Sequence, residues 1–206
     1  MAKQIAASEY QMNTHAIGDS ANTWILKTYK TFLQGKTNKR WRIEHAQIIA
    51  PEDFTLFENV IPSIQPTHAT SDMYWAQDRI GKERMKGAYA YKDLLEAYGK
   101  VALGTDFPVE QVNPFLTFYA AAVRKDTDGY PDDGFQIENR LSREETLKGM
   151  TIWAAYSNFE ENEKGSIEVG KLADFTILNQ NIMTVDAEKI PKTKATATYL
   201  NGEKVY

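Results

Sequence analysis

The chain has 206 residues, 42% apolar and 25% charged, with a formal net charge of −4 and no cysteine. This is globular composition; it excludes disordered, collagenous and coiled-coil chains, and also disulfides, thiolate metal sites and a cysteine nucleophile. The acidic balance argues against nucleic acid as a partner, and no apolar run approaches the roughly 18 residues of a membrane span.

In chain order, residues 1–9 read as the last turns of a helix, and QMNTH as a strand ending at His15. A helix is expected over 21–33, with Ala21, Ile25, Tyr29 and Phe32 at helical spacing, Ser20 or Asp19 as its cap and Gly35 as its stop. WRIEH (41–45) is a strand, PEDFTLFEN (51–59) a short helix with proline in its first turn, and VIPSIQ (60–65) the next strand. Residues 66–80 read as a polar loop, 83–98 as a helix closed by Gly99, and VALGT (101–105) as a strand that opens at Asp106. A helix over 113–124, an Asp- and Gly-rich loop over 125–139 and a helix opened by a Ser142–Glu145 capping box follow. Leu147, Met150 and Ala154 form the apolar stripe of that last helix. From Gly165 the period becomes strand-like, in ADFTILN, ATATYLN and KVY. The aromatic residues, such as Trp24, Tyr29 and Phe32, are assigned to core packing because they keep helical spacing.

Strand and helix thus alternate four times, which predicts a parallel sheet with covering helices. His15, His45 and Asp106 fall at the carboxyl ends of strands, the face on which (β/α) barrels carry their active sites. A closed barrel needs eight strands and about 250 residues, so the part before the β tail makes half of one. Each candidate has a plainer alternative. His15 can be a satisfied turn histidine and Asp106 a loop cap. His45 can be a buried core residue, with Glu44 on the opposite face in a helix-facing ion pair. Together, two histidines and an aspartate make a nitrogen-and-oxygen set suited to Zn²⁺ and similar ions, which acidify bound water.

HAIGD (15–19), RIEHAQ (42–47), SIQPTHATSD (63–72), GTDFPV (104–109) and KGSIEVGKLADFTIL (164–178), in this order and spacing, resemble the amidohydrolase superfamily. They are most similar to its Amidohydrolase-3 branch, the YtcJ-like hydrolases that include N-substituted formamide deformylases. The resemblance implies an α/β fold: the C-terminal half of a (β/α)8 TIM barrel (strands 5–8 with their helices) in residues 1–164, and the C-terminal part of a small β-sandwich domain in 165–206. It implies His15, His45 and Asp106 as ligands of a divalent metal, with Zn²⁺ the first choice. Asp106 would also shuttle the proton, His68 would stabilise the oxyanion, and Gln65, His68 and Asp72 would contact the substrate. The expected reaction is hydrolysis of the C–N bond of a small amide-like molecule.

Two departures qualify the match. Thr105 stands where a serine is usual, and no His-x-His pair occurs, so the first half of the barrel is missing from these residues. The alternative is therefore an inert half-domain that needs its N-terminal half or a homo-oligomer partner. With Met1 as the start, the expected location is the cytoplasm. Two decoys are set aside. GSIEVGKL (165–172) has Leu172 where a phosphate-binding loop needs Ser or Thr, and KDTDGYPDDG (125–134) lacks the third acid and the glycine of a calcium loop at the required positions.

Overall fold

The computed structural model describes residues 1–206, all but Thr37 with their side chains. Four strands, β1 (Asn13–Ala16), β2 (Arg42–His45), β3 (Ile61–Ile64) and β4 (Ala102–Leu103), form one parallel sheet in the order β1-β2-β3-β4. Helix α1 (Ala2–Ala6) precedes β1, and α2 (Asp19–Leu33) connects β1 to β2. A 3₁₀ segment over Pro51–Asn59 connects β2 to β3. Between β3 and β4 lie α3 (Thr67–Asp72), α4 (Ala76–Met85) and α5 (Tyr91–Tyr98), and after β4 come α6 (Pro114–Val123), α7 (Arg143–Met150) and α8 (Ile152–Ser157). No helix is long and apolar enough to cross a membrane among the described residues.

Alternation along the strands separates the two faces of the sheet. Thr14, Ile43 and Pro62 share one row and point towards the helices, where Ile43, Trp41, Tyr29 and Leu26 are all fully buried. The Tyr29 and Trp41 rings meet edge to face at 4.7 Å, and the Tyr29 hydroxyl reaches Thr14 Oγ1 at 2.6 Å. The next row, His15, Glu44, Ser63 and Ala102, points the other way. Arg42 pairs there with Glu44 at 2.6 Å and reaches Ser157 Oγ at 3.2 Å and Asn158 Oδ1 at 2.6 Å, so this pair faces the C-terminal end of α8 and not α2. Pro62 is tolerated because alternate residues of a parallel strand address opposite neighbours. Ile61 N donates to Trp41 O, so the missing N–H of Pro62 faces the β4 side, where pairing begins only at Ser63.

Helix α2 buries Asn22, Ile25, Leu26, Tyr29 and Leu33, while Ala21 is exposed and Phe32 only half-buried. Trp24, expected in the core, is 69% exposed. The stripe is rotated because Asn22 is drawn inward, its Nδ2 donating to Ala16 O, Gly18 O and Ile48 O at 3.0–3.1 Å. This ties the start of α2 to the segments after β1 and β2. Gly18, not Ser20 or Asp19, is the N-cap, with no side-chain cap, and Gln34 closes the helix in the left-handed conformation one residue before Gly35.

The segment between β3 and β4 departs most from expectation. The polar stretch 66–80 is largely helical, in α3 and the first part of α4. Thr70 and Ser71 turn their hydroxyls back onto the carbonyls of Thr67 and His68, so these polar residues support a helix rather than a loop. The expected helix over 83–98 is instead two pieces. After α4 the chain turns through Lys86 and Gly87 and meets β2's exit in an isolated bridge between Ala88 and Ile48, with Ile49 N donating to Gly87 O and Tyr89 N to Gln47 O. The two backbones are so close that a Cβ on Gly87 would lie 1.8 Å from Ile49 O. Gly99 does close α5, at φ 85°.

The Ser142–Glu145 capping box forms in both directions, at 3.1 and 2.7 Å. Helix α7 then buries Thr146 and Gly149, and leaves Leu147 37% exposed. A Cβ on Gly149 would stand 2.3 Å from Leu103, which is why the glycine edge faces β4. The helix breaks at Thr151, so Ala154 belongs to α8. Arg124 is fully buried, with no carboxylate partner among the described residues. Its guanidinium donates to Phe135 O at 2.8 Å and Gln136 Oε1 at 3.1 Å and lies over the Tyr91 ring. The tail forms a separate three-stranded antiparallel sheet of β5 (Phe175–Leu178), β6 (Ala195–Leu200) and β7 (Glu203–Lys204). It is joined to the first part by Phe118 and Tyr119 of α6, which pack on Ile182 and Ile190.

Candidate metal centre

The carboxyl ends of β1, β2 and β4 and the first turn of α3 converge. His15 sits in β1, His45 ends β2, His68 opens α3, and Asp106 follows β4. His45 Nε2 lies 3.0 Å from His15 Nδ1, and His68 Nε2 lies 3.1 Å from Asp106 Oδ2. The donor atoms of His45, His68 and Asp106 all fall within 4.8 Å of one another. His45 and His68 are each 8% exposed.

Strand alternation alone would keep His45 away from His15, because His15 pairs with Glu44 and His45 with Ala16. The rings meet because the chain leaves the extended conformation there: His45 and Ala46 have φ of 74° and 44°, and Asp106 has φ of 61°. Histidine and aspartate are among the few side chains that tolerate this left-handed region, whereas an alanine there is strained. Burial is the main influence on the His45 imidazole and lowers its pKa. The Asp106 carboxylate opposes that shift, and the other two histidines add to it. The net direction favours the neutral ring, the form that binds a metal.

The arrangement fits a divalent ion. Two nitrogens bound to one ion at the usual zinc distances stand roughly 3 Å apart, which is the His15–His45 spacing. The other His45 nitrogen, Nδ1, is buried without a protein partner. Neutral imidazoles and a carboxylate form the mixed nitrogen-and-oxygen set that Zn²⁺ and its neighbours accept.

His45, His68 and Asp106 are therefore brought together, and His15 joins them through its contact with His45. Gln65 and Asp72 are nearby in the chain, but among the described residues neither hydrogen-bonds to this cluster. Gln65 is buried at the end of β3 with its Oε1 unpartnered. Asp72 accepts from Gln47 Nε2 at 3.0 Å and from the Tyr89 hydroxyl at 2.8 Å. Burial pushes its carboxyl above the usual range, against the lowering effect of the Tyr89 bond. One group went unrecognised in the sequence. Glu110 Oε1 lies 3.0 Å from His68 Nδ1 and accepts from Ser71 Oγ at 2.6 Å. The only signal for it was an acid four residues after Asp106. Glu110 also lines a cleft of about 260 Å³ with Thr67, Ser71, Tyr74, Tyr119 and Lys125.

Fold and donor set define a class: an α/β protein with a metal-type His/Asp cluster at the carboxyl ends of parallel strands. The model of the Amidohydrolase family matches residues 1–206, and the chain belongs to that family. It is 35% identical to Protein LONG AFTER FAR-RED 3 of Arabidopsis thaliana over 97% of this chain and 34% of that protein. It is 31% identical to the putative amidohydrolase YtcJ of Bacillus subtilis over 95% of this chain and 37% of that one. The crystal structure of an uncharacterized metal-dependent hydrolase from Pyrococcus horikoshii superposes with a TM-score of 0.71 at 28% identity, over 86% of this chain and 35% of that one. The chain thus spans about a third of the length of the curated relatives it matches.

Proposed function

We propose that this chain is part of a metal-dependent hydrolase that cleaves the C–N bond of a small amide-like molecule. Residues 1–164 would be the C-terminal half of a (β/α)8 barrel, and 165–206 part of a small β domain. The observation that carries this reading is the cluster at the rim of the parallel sheet, where donor atoms of His45, His68 and Asp106 lie within 4.8 Å of one another and His15 Nδ1 stands 3.0 Å from His45 Nε2. Family membership supports it, and the resemblance to N-substituted formamide deformylase favours an amide-like substrate.

In this reading His15, His45 and Asp106 hold the divalent ion, with Zn²⁺ the first choice. When bound, such an ion polarises a carbonyl and brings the pKa of water towards 7. Asp106 takes the proton from the attacking water and returns it to the leaving nitrogen. His68, with one nitrogen already directed at Asp106, donates to the oxygen that gains charge. Gln65, with its free Oε1, and Asp72 line the approach to the substrate.

Metal content per chain tests this, on monodisperse protein purified without chelator or a His-tag. The expected result is near one ion per chain in the wild type and far less in His45→Ala. Protein without metal would count against the reading.

A second reading is favoured by the open sheet. β1 and β4 each pair on one side only among the described residues, and unpaired strand edges invite another chain. The chain alone would then be inert until its N-terminal half or a second copy covers those edges. Light scattering that finds a monomer with no dye-accessible apolar surface would remove this alternative.

A further inference from the structure

We propose that the cleft between α3, α6 and the chain that follows α6 binds the anionic end of the substrate, a carboxylate on an aromatic or apolar body, with the Lys125 ammonium as its anchor. The proposal rests on the reading above in one respect, that the occupant is the substrate of that site.

The cleft encloses about 260 Å³. A cavity of about 150 Å³ is enough for one benzene ring, so this one takes a ring and a short polar arm. Its wall includes Glu110, whose Oε1 lies 3.0 Å from His68 Nδ1, so the cleft opens beside the His/Asp cluster. Leu116 and Tyr119 of α6 and the Tyr74 ring supply apolar surface. Tyr119 is buried, and Tyr74 is held by stacking on Tyr130 at 5.6 Å and by donating its hydroxyl to Asp126 Oδ2.

Three charged side chains line the cleft, Glu110, Lys125 and Asp126, and their partners set them apart. Glu110 accepts from Ser71 Oγ at 2.6 Å. Asp126 accepts from the Tyr74 hydroxyl and, through Oδ1, from Asp128 N and Tyr130 N, both at 2.9 Å. Both carboxylates are thus engaged. Lys125 is half-buried, and among the described residues its Nζ meets no carboxylate or other acceptor. The one charge left open to a ligand is therefore positive. A second unsatisfied group lies on the same wall: Thr67 is 7% exposed, and its Oγ1 is buried without a partner.

The neighbours of Lys125 hold its backbone in place. Arg124 leaves α6 at φ 61° and directs its guanidinium to Phe135 O and Gln136 Oε1. Asp126 N donates to Tyr130 O at 2.8 Å and fixes the next turn. A backbone already ordered on both sides lowers the cost of pairing the lysine with a ligand. One ammonium between two carboxylates suits a singly charged anion, because a dianion such as phosphate would meet twice the repulsion from each of them.

The test is equilibrium binding to the full-length parent protein. The probes are phenylacetate, 2-phenylethanol and 2-phenylethylamine, which share a ring and a short arm and differ in charge. Phenylacetate should bind about tenfold more tightly than the alcohol, and the amine most weakly. Lys125→Met should abolish that preference and Lys125→Arg should keep it, with thermal melts confirming that both variants are folded. Equal binding of the three probes, tighter binding of the amine, or no saturable binding of any would overturn the proposal. A preference that survives in Lys125→Met would place the carboxylate elsewhere, a bound ion included, and would also overturn it. Binding needs no turnover, so the hydrolase reading can fail for want of metal or activity while this result stands. Where amide turnover is measurable, phenylacetate should inhibit it competitively. Noncompetitive inhibition would make the cleft a separate carboxylate site and overturn its role in holding substrate.

Discussion

The body of the parallel sheet and its rim are only a few residues apart, yet they are built on opposite principles. In the body, side chains alternate faithfully, and Trp41 and Ile43 are fully buried under α2 with Leu26 and Tyr29. At the rim, alternation fails. His45, Ala46 and Asp106 enter the left-handed region, while buried polar atoms without partners occur in both places, at His45 Nδ1 and Gln65 Oε1 in the rim and at Trp41 Nε1 and Asn22 Oδ1 in the body. Strained backbone and unsatisfied polar atoms each cost on the order of 1–3 kcal/mol and persist only where the surroundings hold them. The body supplies that support. Asn22 makes the link physical, since one buried amide on α2 holds the backbone leaving β1 and the Ile48 carbonyl beyond β2. The lesson is a division of labour: the body holds the rim in a geometry that the rim's own residues do not favour.

Two substitutions should separate the regions. At the rim, Asp106→Asn made in the full-length parent protein should reduce turnover by about 10²- to 10⁴-fold, the range for losing a positioned acid–base group. Asparagine accepts the left-handed backbone at 106, so the melting temperature should stay within a few degrees. Kinetics on formamide and N-acyl substrates, with a melt on the same sample, read both effects. Retained turnover would remove Asp106 from the proton transfer. A large fall in melting temperature would mean that the rim holds the fold and would break the comparison.

In the body, Trp41→Ala removes a fully buried indole that packs edge-on against Tyr29. The expected cost is about 3–5 kcal/mol, read as a lower urea midpoint. At concentrations where the variant stays folded, metal content should match the wild type. Loss of metal from folded Trp41→Ala would show that body and rim are not separable in this way.

This division also explains what could be read in advance. The four strands and most helices were legible because burial imposes a period on them, and the Ser142–Glu145 box because its chemistry is local. Three of the converging residues, His15, His45 and Asp106, were legible as polar groups where apolar runs end. The misreadings have tertiary causes. The helix expected over 83–98 is broken where Gly87 approaches Ile49 backbone to backbone, a contact 38 positions away in the chain that leaves no periodic trace. The stripe of α2 turned because Asn22 had carbonyls to satisfy, which carried Trp24 out to solvent. Arg124 ends an alanine-rich helix like any surface cap, yet it is buried under Tyr91 and Phe135. Glu110 lies 42 residues from His68, and only the turn at Asp106 brings the two together.

The smallest expected effect sharpens the comparison at a third place, the helix layer that braces the body. Lys92 of α5 meets Glu145 of α7 at 2.7 Å, and Glu145 also caps its own helix through Ser142 N. Burial by itself would raise the Glu145 carboxyl. The Lys92 ammonium and the Ser142 donors outweigh burial and hold it below its ordinary value of 4.5. A carboxyl lowered in the folded state contributes stability that is fully present above its unfolded pKa and is lost as pH falls through the folded value. Glu145→Gln keeps the shape and an acceptor but removes the charge. It should cost about 0.5 kcal/mol at pH 7, as a partly exposed ion pair does, with the gap to wild type constant down to about pH 5. Below about pH 4.5 the gap should close as wild-type Glu145 takes up its proton. Urea titrations at pH 7, 5 and 3 read this directly. A gap that persists unchanged at pH 3 would mean that the glutamate acts through its shape, and that the helix layer is held, like the sheet body, by packing alone.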